Sequence, residues 1–389
     1  MAPTPVSAHD LSQKHKRVVN FSAGPSKLPD SVLQRAQEEM LNFRETGSSV
    51  MELSHRGKTF KSVISEAEKL TRQLLNVPDN FRILFMQGGG CGQFAAVPLN
   101  LAGSPGATVD YIVTGRWSES AAKEAEKYCQ VRKVHAPKPH ASDSSDSEDS
   151  EEEWWSELSE NAAYVYMCDN ETVDGVEFKC PPRTPPGVPL VADMSSNMMS
   201  RPIDFSKYGL VFAGAQKNLG PAGVTVVIVR EDLMDGRALP FCPSVLSYHV
   251  TSRNDSLYNT PPTFSIYVTG LVMQWVRDSG GVARMQELSR EKSSLLYNLI
   301  ENSQGFYYCP VDKSCRSRMN IVFRLSGGEA LEKRFAEEAA KQGLTNLEGH
   351  RSIGGLRASL YNAVTIADTR TLASFMRDFA KRVAQIDLA

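Results

Sequence analysis

Long apolar runs, a charge of one sign and paired cysteines are all missing from this chain of 389 residues. No apolar run approaches the length needed to span a bilayer. The net charge of −2 provides no overall field toward nucleic acid or an anionic membrane, so we expect neither as a partner. The 7 cysteines are odd in number, and no two form C-x-x-C. This pattern indicates neither a disulfide framework nor a zinc site, and a cytoplasmic location fits it.

Histidine is also scarce. The chain has 7 histidines, scattered and without an H-E-x-x-H motif, so we expect no metal. Residues 1–17 are polar and lack an apolar signal core, which favours a loose leader. What is present is typical of soluble globular proteins, with 41% hydrophobic and 23% charged residues. The length is enough for two domains.

Short apolar runs that are typical of strands alternate with amphipathic segments that are typical of helices. This alternation predicts an α/β fold with a mainly parallel sheet and helices on both of its faces. A smaller alternating region follows Gly280-Gly281. We therefore expect a large domain over 30–275 and a smaller α/β domain formed by 1–29 and 276–389.

Two local features of this last region can be checked directly. The apolar residues of 360–364 predict a strand. Thr365-x-x-Asp368 resembles a capping box and predicts the start of the last helix.

Segment 141–153 contains seven acids and five serines and has no basic residue. Nothing in it can be buried, so we expect a disordered surface loop inserted in the large domain. A solvated spacer is the main interpretation, and a phosphorylated segment is the minor one.

Lys217 occupies a glycine-rich stretch between two apolar runs, 209–213 and 224–229. Both runs predict buried strands, which would place the lysine on a tight turn between them. Desolvation there lowers the pKa of the ammonium and makes the amine a nucleophile toward a carbonyl group. The alternative is a solvated turn lysine, so the surroundings of Lys217 must decide.

A second glycine-rich stretch, 87–94, follows the predicted strand 81–86 and precedes a helix expected from about Gln93. A strand, a glycine loop and a helix start can present the backbone N–H groups of Gly90 and Cys91 to a phosphate. The stretch lacks the Gly-Lys-Ser/Thr of a P-loop, and Gln93 breaks the G-x-G-x-x-G pattern of dinucleotide sites. A purely structural turn is the alternative.

Trp117, Thr172, Asp193 and Lys217 all fall at carboxyl ends of predicted strands, where such sheets bind ligands. Pyridoxal phosphate would use each of them. Lys217 would form the Schiff base, and Asp193 would pair with the pyridinium nitrogen. Trp117 would stack on the ring, Thr172 would bind the ring hydroxyl and Gln216 would reach the phosphate. If each residue is considered alone, the alternative for Asp193 is a helix cap, and the alternative for Trp117 is a residue of the apolar core.

The motifs as a set resemble the phosphoserine aminotransferases, class-V members of the fold type I pyridoxal phosphate enzymes. The resemblance runs from about Asn20 to the C-terminus. The motifs are Phe21-Ser-Ala-Gly-Pro25, Ser54-His-Arg56, Gly88-Gly-Gly-Cys-Gly-Gln-Phe-Ala-Ala-Val-Pro98, Asn170-Glu-Thr172, Gly214-Ala-Gln-Lys-Asn218, Tyr258-Asn-Thr-Pro-Pro-Thr263, and Gly349-His-Arg351 with Arg357-Ala-Ser.

The resemblance implies a transaminase of serine biosynthesis. Such an enzyme interconverts 3-phosphohydroxypyruvate and glutamate with O-phosphoserine and 2-oxoglutarate. The resemblance also implies a homodimer, in which Asn259 and Thr260 reach the cofactor phosphate of the other subunit. It assigns Arg357 to the substrate α-carboxylate. The phosphate, or the distal carboxylate of glutamate, is assigned to four further residues, His55, Arg56, His350 and Arg351.

Two departures from the family pattern stand out. Cys91 occupies a position where many bacterial members have an arginine that helps to hold the acidic group of the substrate. The acidic segment 141–153 is the other departure.

The alternatives to a phosphoserine aminotransferase are another fold type I enzyme, such as an alanine–glyoxylate aminotransferase or a cysteine desulfurase, and a non-catalytic pyridoxal phosphate-binding protein. A desulfurase needs a reactive cysteine, for which Cys309 and Cys315 are candidates without a supporting motif. The presence of both Lys217 and Asp193 argues against a non-catalytic protein.

Overall fold

The computed structural model describes residues 17–135 and 157–386. The acidic segment 141–153 and most of the expected leader lie outside the described residues. No helix in the described part of the chain is long and apolar enough to cross a membrane.

Strands and helices alternate along the chain. The strands are β1 Val19–Asn20, β2 Phe81–Met86, β3 Thr108–Val113, β4 Gln130–His135, β5 Val165–Cys168, β6 Asn170–Glu171, β7 Val176–Glu177, β8 Leu190–Asp193, β9 Leu210–Gly214, β10 Thr225–Arg230, β11 Tyr307–Tyr308, β12 Asn320–Leu325, β13 Leu344–Thr345 and β14 Leu356–Ser359. The α-helices are α1 Asp30–Glu38, α2 Lys58–Leu75, α3 Gly89–Leu101, α4 Arg116–Ala125, α5 Tyr248–Arg253, α6 Thr263–Asp278, α7 Gly281–Glu301, α8 Gly328–Lys341 and α9 Ile366–Ile386.

The main sheet has seven strands in the order β2-β10-β9-β8-β5-β3-β4. Strands β4, β3, β5, β8 and β9 are parallel to one another, and β10 is antiparallel to both β9 and β2. The predicted mainly parallel sheet is therefore confirmed. Its central strands β5, β8 and β9 are buried along their whole length, as expected for a sheet covered on both faces.

Two apolar clusters cover the two faces of this sheet. Helices α2 and α6 pack on one face, with Phe60 and Ile266 in the cluster. Helices α3 and α4 pack on the other face, with Phe94 and Ala121. Because every parallel strand then ends between two helical layers, polar residues at its carboxyl end lie on one common edge.

A third apolar cluster belongs to the C-terminal part of the chain. Strands β11, β12 and β14 form an antiparallel sheet that packs with residues of helices α7, α8 and α9, including Leu296, Phe335 and Phe379. Strand β1 pairs in parallel with β13, and Phe21 is buried in the same cluster. The N-terminal segment therefore packs with the C-terminal sheet.

The strand expected over 360–364 is wrong, because the strand in this region, β14, ends at Ser359. The backbone carbonyls of Leu360, Tyr361 and Val364 instead accept hydrogen bonds of 2.7–2.9 Å from the buried ammonium of Lys292. Carbonyls that converge on one cation cannot also form a regular ladder. The capping box is confirmed, since Thr365 and Asp368 exchange hydrogen bonds between backbone N–H groups and side chains.

Candidate active site

Lys217 lies on the turn between β9 and β10, as the sequence predicts. The turn is closed by a 2.7 Å hydrogen bond from the Gly220 N–H to the Ala215 carbonyl. Gly220 has φ of +158° and approaches helix α6 so closely that a Cβ there would lie 2.6 Å from the Thr269 hydroxyl. On its other side, Ser26 donates its hydroxyl to the Lys217 carbonyl at 2.5 Å. Contacts from both sides therefore fix the backbone at the lysine.

The half-buried Lys217 side chain projects into a cavity that it shares with Asp193. Burial lowers the pKa of the Lys217 ammonium, and the charge of Asp193 opposes this effect in part. Burial likewise raises the pKa of the Asp193 carboxyl, and Lys217 opposes that change. Burial therefore brings the lysine closer to its neutral, nucleophilic form, as expected from its position in the sequence.

Asp193 ends strand β8, and one of its two carboxylate oxygens is held in place. Its Oδ1 accepts a 2.8 Å hydrogen bond from the backbone N–H of Ser195. Ser195 in turn accepts one from the N–H of Gly214 on the neighbouring strand. Ser195 thus links Asp193 to the strand that leads to Lys217, a contact that strand pattern alone did not reveal.

Trp117, Thr172 and Arg357 form a chain of hydrogen bonds across the cavity wall. The indole N–H of Trp117 donates to the Thr172 hydroxyl at 2.8 Å. Arg357 donates through Nη1 to the Thr172 carbonyl at 2.8 Å. Burial lowers the pKa of the Arg357 guanidinium, which still remains charged because the pKa of arginine is so high. The structure therefore brings these three predicted residues together.

The buried Glu171 holds the start of helix α4, which carries Trp117. Its carboxylate accepts hydrogen bonds from the backbone N–H groups of Trp117 and Ser118 and from the Ser118 hydroxyl, at 2.6–2.9 Å. Burial raises the pKa of this carboxyl to about 7 in spite of these donors. The sequence prediction missed this role. The available signal was an acid three residues after the end of strand β5, but the partners of its carboxylate lie more than 50 positions away in the sequence.

The second glycine stretch forms the first turn of helix α3, which begins at Gly89 rather than near Gln93. Gly88 and Gly89 have φ of +94° and +64°, so residues with side chains would be strained there. The N–H groups of a first helical turn have no intrahelical acceptor and favour an anion. Gly90 and the exposed Cys91 belong to this turn and line the cavity.

The cavity has a volume of about 330 Å³. Nine of the predicted site residues line it, namely Gly90, Cys91, Trp117, Thr172, Asp193, Gln216, Lys217, His350 and Arg357. Five others are not among its lining residues, namely His55, Arg56, Asn259, Thr260 and Arg351. The exposed Thr260 lies near the glycine stretch of its own chain, since its carbonyl is 3.4 Å from Nε2 of Gln87.

This donor set fits pyridoxal phosphate. A helix start suits its phosphate, a buried carboxylate suits its ring nitrogen and a desolvated amine suits its aldehyde. Gly90 lies beside this carboxylate, since a Cβ there would be in ordinary van der Waals contact, at 3.8 Å, with both Asp193 Oδ2 and the Ser195 hydroxyl.

A family model supports this assignment. The model described as aminotransferase class-V matches residues 18–372. The chain belongs to the class-V aminotransferases and is a transaminase dependent on pyridoxal phosphate, which confirms the predicted enzyme class, fold and cofactor.

Comparison with similar proteins shows to which family within the class-V aminotransferases the chain belongs. A phosphoserine aminotransferase of Drosophila melanogaster is 54% identical, over 94% of this chain and 99% of the relative. The solved phosphoserine aminotransferase from Bacillus circulans subsp. alkalophilus is 43% identical with a TM-score of 0.87, and the alignment covers 95% of this chain and 99% of that one. A pyridoxal phosphate-bound phosphoserine aminotransferase from Trichomonas vaginalis is 40% identical with a TM-score of 0.85, over 93% of this chain and 100% of that one. Within the class, the phosphoserine aminotransferase family expected from the motifs is confirmed.

Proposed function

We propose that this enzyme interconverts 3-phosphohydroxypyruvate and L-glutamate with O-phospho-L-serine and 2-oxoglutarate, a step of serine biosynthesis. The observation that carries the proposal is one shared cavity. Lys217 and Asp193 supply the amine chemistry there, and His350 and Arg357 supply anion-binding groups in the same wall. The names of the similar proteins support this choice of substrates.

Pyridoxal phosphate, when bound, supplies an aldehyde carbon and an electron-accepting ring. Lys217 would bind at the aldehyde carbon and, once displaced by the substrate amine, would move a proton from the substrate Cα. Asp193 would keep the ring nitrogen protonated. Thr172 would donate to the ring hydroxyl, because its own oxygen already accepts from Trp117 and its hydrogen remains available.

The remaining cofactor contacts are proposed from position. Trp117 would cover one ring face. The N–H groups of Gly90 and Cys91, together with the Gln216 side chain, would hold the phosphate.

The two substrates share an α-carboxylate and differ in their second acidic group. Arg357 would hold the α-carboxylate, since its guanidinium is fixed by Thr172 in the cavity wall. His350 and Arg351 would hold the phosphate or the distal carboxylate of glutamate, because a guanidinium fork matches both groups.

We also propose a cytoplasmic homodimer with shared active sites. Large apolar side chains are exposed on the single chain, namely Leu41 at 85%, Met51 at 58%, Phe241 at 56%, Val245 at 56% and Tyr258 at 47%. A second copy could cover them. In such a dimer His55, Arg56, Asn259 and Thr260 would serve the site of the partner, which accords with their positions away from the cavity of their own chain.

We further propose that the chain forms two domains, a large one over 30–275 and a smaller one formed by 1–29 and 276–389. Its support is the separate apolar cluster of the C-terminal sheet.

A panel of acceptors tests the proposed reaction. The purified enzyme, loaded with pyridoxal phosphate, is given glutamate with 3-phosphohydroxypyruvate, glyoxylate or pyruvate, and 2-oxoglutarate formation is followed. We expect 3-phosphohydroxypyruvate to be preferred by a factor of at least about 100, because two charge-assisted contacts are lost without the phosphate. A preference for glyoxylate would favour the alanine–glyoxylate alternative. Sulfide release from cysteine would favour the desulfurase.

A further inference from the structure

Asn218 follows Lys217 directly in the sequence. It is only 4% exposed, and it is not among the residues that line the cavity. Its side-chain amide forms two hydrogen bonds with backbone groups. The Nδ2 donates to the Ser196 carbonyl at 2.8 Å, and the Oδ1 accepts from the Asn362 N–H at 2.9 Å. The amide therefore joins the lysine turn to two segments that lie 22 and 144 positions away in the sequence.

The contact with Ser196 leads to the carboxylate of Asp193. The preceding residue, Ser195, donates its N–H to Asp193 Oδ1, and its hydroxyl accepts from the N–H of Gly214. The lysine turn is thus joined to the segment that follows β8 at two points. One point, Gly214, lies before the lysine, and the other, Asn218, lies after it.

The contact with Asn362 leads to the C-terminal part of the chain. Asn362 belongs to the segment 360–364, whose carbonyls bind the buried ammonium of Lys292. Its own side chain donates to the Met199 carbonyl at 2.9 Å. The backbone N–H that Asn218 accepts is therefore itself held in place.

The peptide unit between Lys217 and Asn218 is held from two directions. Its carbonyl, that of Lys217, accepts from the Ser26 hydroxyl, and the side chain of Asn218 is bonded to Ser196 and Asn362. Loss of the amide would leave this peptide unit fixed on one side only. The lysine could then shift relative to Asp193.

We propose that Asn218 is a positioning residue of the reaction, which acts through Lys217 by fixing the lysine turn relative to the segment that carries Asp193. This inference rests on the proposed roles of Lys217 and Asp193, and it adds the residue that sets their relative position. Proton transfer depends steeply on geometry, and a misplacement of about 1 Å can lower a rate by about 100-fold. Substrate affinity depends on other groups, so we expect the effect in kcat and not in KM.

The test uses two variants of Asn218. Asn218→Ala removes both hydrogen bonds. Asn218→Asp has nearly the same volume and keeps an acceptor for the Asn362 N–H, but its carboxylate has no donor for the Ser196 carbonyl. The second variant therefore isolates the contact that leads to Asp193, and it serves as the test if the alanine variant does not fold.

The matched control is Asn100→Ala. Asn100 is 3% exposed, and its side chain has the same bonding pattern, since it donates to the Leu246 carbonyl at 2.8 Å and accepts from the Tyr248 N–H at 2.9 Å. It lies near the end of helix α3 and does not line the cavity. Its loss therefore costs similar hydrogen bonds without touching the lysine turn.

Three quantities are measured for each holoenzyme. They are the melting temperature, kcat and KM with glutamate and 3-phosphohydroxypyruvate, and the pH midpoint of the change in absorbance of the bound cofactor. This midpoint reports protonation of the Lys217 nitrogen that is joined to the cofactor. Since the pKa of Lys217 depends on its burial and on the charge of Asp193, a displaced lysine shifts the midpoint.

We expect Asn218→Ala and Asn218→Asp to lower kcat by about 10- to 100-fold and to change KM by less than about 3-fold. The absorbance midpoint of Asn218→Ala moves by at least about 0.5 pH units. Asn100→Ala has a lower melting temperature, as Asn218→Ala does, but it keeps the kcat and the midpoint of the wild type.

A wild-type kcat and an unmoved midpoint in the Asn218 variants would overturn the proposal. Equal losses of kcat in Asn100→Ala and Asn218→Ala would also overturn it, because they would reflect reduced stability alone. A wild-type enzyme that does not transaminate 3-phosphohydroxypyruvate would instead overturn the proposed function. The absorbance titration needs no substrate, so it would still decide whether Asn218 positions Lys217.

Discussion

The indole N–H of Trp117 donates a 2.8 Å hydrogen bond to the hydroxyl of Thr172. Thr172 is buried, and its carbonyl also accepts from Arg357. One residue therefore joins Trp117 in the cavity wall to the guanidinium of Arg357, which also lines the cavity. The orientation of the hydroxyl follows, because an oxygen that accepts from the indole still has its own hydrogen to donate.

The Thr172→Val variant tests the role of the Thr172 hydroxyl, because valine has nearly the same volume as threonine. The valine leaves the indole N–H of Trp117 without an acceptor and removes the donor that we propose for the ring hydroxyl. The ring hydroxyl would then lack its donor in the bound state only, and since an unsatisfied buried polar group costs about 1–3 kcal/mol, we expect the affinity for pyridoxal phosphate to fall by about 5- to 150-fold, as measured by equilibrium titration. Thr172→Ser keeps the hydroxyl and serves as the control. Equal affinity in the valine and serine variants would show that the hydroxyl has no such role.

Glu171→Gln tests the cap that positions Trp117. The carboxyl pKa of about 7 means that the wild-type cap titrates near neutrality, whereas an amide does not titrate. We expect the near-UV circular dichroism of the wild type to change between about pH 6 and 8, and that of Glu171→Gln to stay flat. Glu124→Gln is the control, because the half-buried Glu124 lies on the same helix in a pair with Lys127, and this variant should keep the transition. A transition that persists in Glu171→Gln would assign it to another group.

Asp193→Asn should still bind pyridoxal phosphate and lose most of its activity. A neutral amide cannot hold the ring nitrogen protonated, so the ring accepts electrons less well. A loss of about 2 kcal/mol in transition-state stabilisation corresponds to a fall of about 30-fold in kcat. The measurement is kcat at saturating glutamate and 3-phosphohydroxypyruvate. A kcat within a factor of two of the wild type would remove Asp193 from the mechanism.

Because of the ion pair between Glu177 and Arg318, we expect the free energy of unfolding to depend on pH. Burial opposes ionisation of Glu177, but two hydrogen bonds and the charge of Arg318 outweigh it and lower the pKa of the carboxyl. A pKa that is lower in the folded state contributes stability above the unfolded value of about 4.3, and that contribution is lost as the pH falls further. At pH 7, Glu177→Gln should therefore destabilise the protein by about 3 kcal/mol.

Thermal unfolding at several pH values checks this expectation. The gap in melting temperature between the wild type and Glu177→Gln should be wide at pH 7 and narrow below about pH 4. Glu68→Gln is the matched control, because Glu68 is 46% exposed in its pair with Arg72 and contributes little. A gap that is constant with pH would mean that packing, not charge, accounts for the loss.

Much of the site could be predicted because its signals are local. The two apolar runs around Lys217 and the acid at the end of β8 are properties of short segments. The start of helix α3 was misplaced because glycine is a poor helix former, and its first turn depends on tertiary contacts. The prediction of a strand over 360–364 was wrong for a similar reason. The carbonyls of this region bind Lys292, which lies about 70 positions away in the sequence.

The contacts that sequence pattern missed all join distant segments. Glu171 caps a helix that starts 55 positions earlier, a separation that no periodicity reveals. Local pattern therefore predicted many residues that line the cavity, and missed the long-range contacts that position them.

The most direct test of the account is the rate of 2-oxoglutarate formation from glutamate and 3-phosphohydroxypyruvate by the wild type and by Lys217→Ala. The account predicts that the wild type turns over, and that the alanine variant folds and loses at least about 100- to 10,000-fold in kcat, because Lys217 moves the proton at the substrate Cα. Near-normal turnover by Lys217→Ala, or no turnover of 3-phosphohydroxypyruvate by the wild type, would contradict it.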